Sequence, residues 1–333
     1  MFKEDVSQEL KNKFPEAFLK IGVVGKSVYF TPYRDALVEA IKTFGFEAKG
    51  FDYIDYDYQP DGFIIINPFQ YNNKFNYHKY MYAGLQTEQV LNNEVYNVEM
   101  GLHNYKKLKK IINKYDFIFE WSPAAYRALN NKYNNIYFLP HSNFTSMRYL
   151  EKYENDNIQE KYDLLFVGWA TGINNRRSRI LELLSEKYHI YPKYENLWGD
   201  EKERAILSSK ICLNLHFDNS LVYESPRMYE YLANKKFVLS EKISDSYPFI
   251  EGQDYDYFYI HNMFEKIDYY LSNTEERQRI AINGFNAANR QMLNDNIRII
   301  LERFLLEKWI RKSFKWQTKK TFFHIIGLRH KTF

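Results

Sequence analysis

Short apolar runs recur along the chain, each bounded by polar or small residues, and most are separated by stretches with helical spacing. Residues 19–27 (LKIGVVGKS) form a strand-length apolar run. Thr31 and Pro32 then read as N-cap and first position of a helix (YRDALVEAIKTFG) that closes on Gly45. Residues 61–69 (DGFIIINPF), 79–86 (KYMYAGLQ), 115–122 (YDFIFEWS) and 135–142 (NIYFLPHS) repeat the apolar, β-prone pattern, with helical stretches between several of them. Strands alternating with helices predict one parallel α/β domain for the first half. A polar, Asn-rich stretch over 152–161 reads as a linker. A second run of the same kind starts at Tyr162 (YDLLFVGWA), enters the polar turn TGINNRR and continues as a helix, SRILELLSEKY. Later come an alternating strand (ICLNLHF), a further strand (YDYFYI), and helices over about 263–271, 274–292 and 295–312.

Residues 223–240, YESPRMYEYLANKKFVLS, punctuate most sharply. Ser225 is a good N-cap and Pro226 a good first helical residue, because the N–H that proline lacks would be unpaired there in any case. Asn234 is a residue that tolerates the left-handed conformation closing a helix. With strands on both sides, the segment predicts a βαβ unit whose helix N-terminus lies at the carboxyl edge of the sheet, where free N–H groups and the dipole favour an anion. Arg227 and Glu230, three residues apart, share one face of that helix. From spacing alone, a surface ion pair explains them equally well.

Length fits two domains, expected over 1–155 and 156–300, with a basic aromatic tail over 301–333. Composition is that of a folded protein, 45% hydrophobic and 26% charged, and a net charge of +4 gives no reason to expect nucleic acid as a partner. The single cysteine, Cys212, excludes an internal disulfide and fits a cytoplasmic location with a buried thiol. The tail mixes Trp, Phe and Ile with Lys and Arg. It reads either as a helix packing back on the first domain or as an amphipathic segment resting on an anionic membrane.

Several motifs test chemistry directly. GVVGKS ends like a phosphate-binding P-loop, but Lys20 stands where that pattern needs its first glycine. Asp55-Tyr56-Asp57 is either a divalent-cation pair or a solvated loop, and no His or Cys cluster has zinc spacing. VGWATGINNRRSRI is more informative. Gly168 at a strand end allows close approach of a ligand, and Arg176 or Arg177 at the next helix start reaches a diphosphate, unless both are surface arginines on a solvated turn. Two such turns at one sheet edge, this one and residues 225–227, describe a pyrophosphate site. His216, at the end of its strand, either contacts the same ligand or caps the sheet.

Residues 213–241 (LNLHFDNSLVYESPRMYEYLANKKFVLSE) resemble the donor-binding segment of group 1-type glycosyltransferases of GT-B fold, especially the CgeB-like, spore maturation protein-like group. Residues 163–184 resemble the first strand and helix of the same domain, and the resemblance covers about 162–289. It implies two Rossmann-like parallel-sheet domains facing across a cleft, with a nucleotide-diphosphate sugar on the second and the acceptor on the first. Carried over, Glu230 binds the ribose hydroxyls and Arg227 the diphosphate, with Gly168, Arg176, Arg177, His216 and Ser225 as further donor contacts. In that family base identity rests on backbone contacts near loops such as 198–201, which the resemblance leaves unplaced. Asn234 replaces the usual glycine, and Val222 stands where many retaining members have the first of two glutamates eight apart, Glu230 being the second, so the resemblance leans to inversion. The implied reaction moves a sugar to a glycan, lipid-linked glycan or protein, without metal or other cofactor, using the arginines and helix dipoles to hold the leaving diphosphate. Candidate bases are Glu88, otherwise a helix N-terminal carboxylate, and His141, otherwise a structural hinge residue. A non-catalytic nucleotide- or glycan-binding protein of the same shape is the alternative.

Overall fold

The computed structural model describes residues 18–71, 75–88, 90, 99–143, 147–170, 176–217, 221, 223, 225–290 and 293–313. The chain divides into two compact units. One comprises Met1–Val90, Leu102–Pro140 and Leu293–Phe333, the other Leu91–Gly101 and His141–Met292.

The first unit contains β1 (Lys20–Val24), α1 (Thr31–Thr43), β2 (Glu47–Phe51), β3 (Gly62–Ile66), β4 (Met81–Gln86), α2 (Glu99–Ile111), β5 (Phe117–Glu120), α3 (Pro123–Leu129) and β6 (Ile136–Phe138). Its sheet runs β2-β1-β3-β4-β5-β6, parallel throughout, so the order reverses between β1 and β3. All residues of β3, β4 and β5 are buried, as strands covered on both faces must be, and that is why they appear in the sequence as unbroken apolar runs. β2, EAKGF, lacked that signature and was not predicted, because it is an edge strand. Gly45 closes α1 with φ +80°, as expected, but the N-cap is Phe30 and Thr31 is already helical.

The second unit contains α4 (Tyr149–Lys152), β7 (Tyr162–Leu165), α5 (Arg176–Ser185), α6 (Gly199–Leu207), β8 (Ser209–Asn214), α7 (Ser225–Leu232), β9 (Phe237–Glu241), β10 (Asp256–Phe258), α8 (Met263–Ser272) and α9 (Thr274–Arg290). Its parallel sheet runs β10-β9-β8-β7. Leu164 of β7 pairs with Ile211 of β8 on one side and bridges Ile190 on the other. The chain therefore leaves β7 outward to Ile190 and returns to β8, placing a topological switch between β7 and β8. Cys212 lies in β8 with its thiol pushed up to about 12 by burial, which leaves it unreactive.

Both expected domain boundaries differ from this division. The Asn-rich stretch is not a linker, because Lys152 pairs with Asp200 (2.8 Å), Asp156 with Arg204 (2.6 Å) and Glu160 with Lys236, all within the second unit, and 141–150 is held there too. Asn234 Nδ2 donates to Met147 O (2.7 Å), its Oδ1 accepts from Tyr149 N (2.7 Å) and Leu150 N (3.2 Å), and Asn143 Nδ2 donates to Asn289 Oδ1 (2.9 Å). The last helix, α10 (Leu293–Ser313), begins before residue 301 and belongs to the first unit. Leu293, Ile297, Ile300, Leu301, Phe304 and Leu305 bury one stripe of it. A Cβ on Gly62 would lie 2.6 Å from Phe304, so only glycine lets the helix approach β3 this closely. Lys308 pairs with Asp61 (2.6 Å) and Arg311 with Asp116 (2.8 Å), spending basic charge on the unit itself. The rest of the tail, 314–333, lies outside the described residues. No helix among the described residues is long and apolar enough to cross a membrane.

The close of α7 also differs from expectation. Lys235, with φ +55°, takes the left-handed position, while Asn234 is 1% exposed and turns its amide inward, where Nδ2 also donates to Glu230 O (2.7 Å). Asn234 thus ties residues 147–150 to α7. Replacing it with alanine is expected to destabilise the protein by about 2–4 kcal/mol, since several buried backbone groups lose their partner together. Urea unfolding checks this, and a loss below about 1 kcal/mol would show the four bonds to be dispensable.

Candidate active site

The carboxyl ends of β7 and β8 are tied together by arginines. Arg227 donates from Nε to Val167 O (2.9 Å), just past β7, and from Nη1 to Asn214 Oδ1 (2.8 Å) and Leu215 O (3.1 Å), at the end of β8. Its guanidinium lies over the Phe166 ring, 4.8 Å from the centroid. Arg177, 4% exposed, donates from Nε to the same Leu215 O (3.0 Å) and from Nη1 to Trp169 O (3.1 Å), with its guanidinium 5.4 Å from the centre of that same Phe166 ring. Two guanidinium groups thus meet at the switch point, one on the first turn of α5 and one on the first turn of α7. That is the convergence expected from the two turns.

Gly168 completes the close approach. With φ +155°, it brings its Cα so near that an added Cβ would lie 3.0 Å from both Arg227 Nη2 and Phe166 Cζ. Trp169, half exposed, stacks on Phe217 with centroids 5.6 Å apart and planes at 16°, an aromatic platform on the rim. Arg176 makes a two-pronged ion pair with Glu241 at the end of β9, through Nη1 to Oε2 (2.8 Å) and Nη2 to Oε1, and Glu241 Oε2 accepts from His216 N (2.6 Å). Arg176 charge is therefore balanced, and His216 is held by its backbone against the same carboxylate. Ser225 opens α7, but its side chain lies outside the described residues, as does the turn over 171–175.

Arg227 and Glu230 do not pair with each other. Glu230 Oε1 accepts from Tyr149 Oη and forms an ion pair with Lys202 on α6. Lys202 Nζ lies 5.7 Å from the centre of the Trp198 ring, and Trp198 caps α6, so the 198–201 region reaches Glu230 through Lys202. Sequence reasoning missed Glu241, Asn214 and Lys202. The first two had a signal, a polar residue at the carboxyl end of an otherwise apolar strand. Asn214 is fully buried and donates to Ser240 Oγ (2.9 Å) while orienting Arg227.

The two candidate bases fall in different units. Glu88 lies just past β4 in the first unit, where its Oε1 accepts from Asn67 Nδ2 (2.8 Å). Burial raises its carboxyl above the ordinary range, opposed by Lys107 and by that hydrogen bond. His141 belongs to the second unit, 4% exposed and edge-on to Tyr229 (5.1 Å). Burial pushes its imidazole down to about 3, so it stays neutral at physiological pH and holds an abstracted proton poorly. Asp55 Oδ1 accepts from Asp57 N (2.9 Å), closing its own turn, and no cluster of three metal-ligating residues occurs among the described residues.

Residues 176–299 match a family described as Glycosyl transferase-like. Two uncharacterized proteins of Acanthamoeba polyphaga mimivirus are similar. One is 26% identical over 208 residues, 60% of this chain and 68% of the relative, and the other is 27% identical over 187 residues, 54% of this chain and 60% of the relative. Among solved structures, sucrose-phosphate synthase from Thermosynechococcus elongatus aligns with a TM-score of 0.60 at 11% identity, covering 89% of this chain and 100% of that one. HepE of Anabaena, solved in complex with UDP and glucose, aligns with a TM-score of 0.55 at 8% identity, covering 86% and 99%. Identities this low speak to fold. The chain has the GT-B fold, two parallel α/β units, and its second unit holds a glycosyl transferase-like segment that begins at Arg176.

Proposed function

We infer that the protein is a glycosyltransferase that takes a sugar from a nucleotide-diphosphate donor bound at the carboxyl edge of the second sheet. The observation that supports this best is Arg227, anchored to both strand ends at the switch point beside Gly168. A guanidinium held there by backbone carbonyls needs no reorganisation when negative charge develops on a leaving diphosphate. The N-terminus of α7 adds its dipole to the same end. Arg177, buried behind it, fixes the two strand ends and contributes positive potential, while Arg176 positions Glu241 and His216. Glu230, oriented by Lys202 and Tyr149, is the carboxylate suited to a ribose diol. This chemistry asks for no metal or other cofactor, and Glu88 is the better placed base for the acceptor hydroxyl because it is only partly buried, whereas His141 is fully buried. The sequence pattern of α7 and its flanking strands supports the CgeB-like group as the nearest subfamily. Contact of the basic tail with an anionic membrane, with the protein on the cytoplasmic side, remains part of this reading on sequence grounds.

The direct test is calorimetry of UDP, GDP, CMP and their sugars on the wild-type protein, followed by release of sugar from whichever donor binds. HepE was solved with UDP and glucose, which makes UDP-glucose the first donor to try. Absence of binding by every nucleotide to folded protein would sink the donor site, and binding without any turnover would instead mark a non-catalytic nucleotide-binding protein.

A further inference from the structure

The carboxyl edge of the first sheet holds polar groups that the described fold does not satisfy. At the ends of three adjacent strands lie Asn67 after β3, Gln86 at the end of β4 and Glu120 at the end of β5, exposed by only 5%, 1% and 1%. Gln86 and Glu120 are partners in the β4–β5 register, and Asn67 N donates to Leu85 O one step beyond the β3–β4 ladder. Asn67 Oδ1, Gln86 Nε2, Thr87 Oγ1 and Glu120 Oε2 have no hydrogen-bond partner among the described residues. Native interiors leave few such groups unpaired, and four within one row of strand ends need an explanation.

Asn67 also turns the chain here. Its φ of +53° is the left-handed conformation that asparagine tolerates better than most residues with a side chain. In that conformation its Nδ2 reaches Glu88 Oε1, while Glu88 N donates to Gln86 Oε1 (3.3 Å). A left-handed turn, unspent hydrogen-bonding capacity and a partly buried carboxylate therefore meet at one place. It lies beside the β1/β3 reversal of the sheet, where open α/β sheets take their ligands.

The chemistry of the unspent atoms selects the ligand. They are an amide donor, an amide acceptor, a hydroxyl and a carboxyl, with no lysine or arginine among them. Lys107 is the charged side chain whose field reaches Glu88. A phosphate would require cationic donors, whereas a hydroxyl, one donor and two acceptors, matches this mixture. We propose that Asn67, Gln86 and Glu120 bind the hydroxyl groups of a neutral sugar, with Glu88 at the rim of the same site. Its identity as the acceptor of the transfer rests on the function proposed above, and its existence as a sugar site does not. Burial pushes the Glu120 carboxyl up to about 8, so at neutral pH it keeps its proton and donates to a hydroxyl oxygen.

The test is saturation-transfer NMR with the methyl glycosides of glucose, galactose, mannose and N-acetylglucosamine at millimolar concentration, on the wild type, Asn67→Gly and Gln86→Leu. Glycine accepts the left-handed backbone at position 67, and leucine fills the buried space at 86, so both variants should fold, which their melting curves verify. At least one glycoside is expected to receive saturation from the wild type, and both variants should weaken that signal about tenfold. UDP affinity, measured in parallel, is expected to stay unchanged because its site is in the other unit. No signal from any glycoside, or a signal that both variants keep, overturns the sugar site. Failure of UDP to bind the wild type sinks the donor reading alone and leaves the glycoside result to decide this one.

Discussion

Arg227→Ala is expected to weaken binding of the cognate nucleotide by about 1–3 kcal/mol, roughly 5- to 150-fold in Kd, and to reduce sugar transfer by more. The larger kinetic effect follows because the interaction strengthens as the diphosphate leaves. Lysine should not restore it. Nε points to Val167 O while Nη1 divides between Asn214 Oδ1 and Leu215 O, and only a planar fork spans those three acceptors. The substitution also removes this donor from Val167 O and Asn214 Oδ1, while Leu215 O keeps Arg177 Nε, so a lower melting temperature is expected alongside weaker binding. Calorimetry on the variant at a temperature well below its transition separates the two effects. Nucleotide affinity equal to that of the wild type would remove Arg227 from the donor site and leave it a structural tie between β7 and β8. Glu230→Ala gives an independent reading, since its partners Lys202 and Tyr149 are distinct from those of Arg227.

A second large effect concerns Glu120 and pH. Burial pushes its carboxyl up to about 8, only partly offset by hydrogen bonds from the Ser122 and Trp121 backbone. In the unfolded chain the same group titrates near its ordinary value of about 4.3. Between those values the folded protein holds a proton that the unfolded chain has released. Glu120 thus contributes stability that is complete below about pH 4 and is lost as pH rises toward 8, a total of roughly 3–5 kcal/mol by linkage. His141 acts in the opposite sense. Its folded value, about 3, lies below the ordinary imidazole value, so its contribution is present above about pH 6.5 and lost as pH falls toward 3. The two slopes oppose one another under acid conditions, and Glu120 alone remains between pH 6.5 and 8. Wild-type stability is expected to fall by about 2 kcal/mol across that window, and Glu120→Gln, which keeps the shape and cannot ionise, should be flat there. Urea midpoints at pH 6.5 and 8 decide it, and identical slopes in the two proteins would show that Glu120 is already ionised in the fold.

Much of this was legible in the residues because parallel strands covered on both faces must be apolar throughout. β3, β4 and β5 announced themselves that way, β8 did so by its alternation, and Ser225-Pro226 marked the start of α7 to within a residue. The pairing of the turn after β7 with the turn before α7 was visible for the same reason, since strand order along the chain dictates which ends share an edge. Whatever depended on contacts distant in sequence was not visible. The linker reading of 152–161 failed because Glu203, Arg204 and Lys236, far later in the chain, pair with Lys152, Asp156 and Glu160. Glu241 and Lys202 acquire their roles only when β9 and α6 are set beside α5 and α7. Asn67 gave no sign at all, because its left-handed backbone is imposed by the strand ends around it.

The position of α10 has a consequence for biosynthesis. The strands of the first unit leave the ribosome early, yet the face of β3 that receives Phe304 stays uncovered until residues 293–313 have been made. At about 5–20 residues per second, that delay lasts many seconds, long compared with the time a sheet needs to find a wrong partner. The second unit, whose sheet and helices lie within 141–292, completes its core first. The nascent chain therefore finishes in reverse order, and the unit synthesised first is the last to close its core.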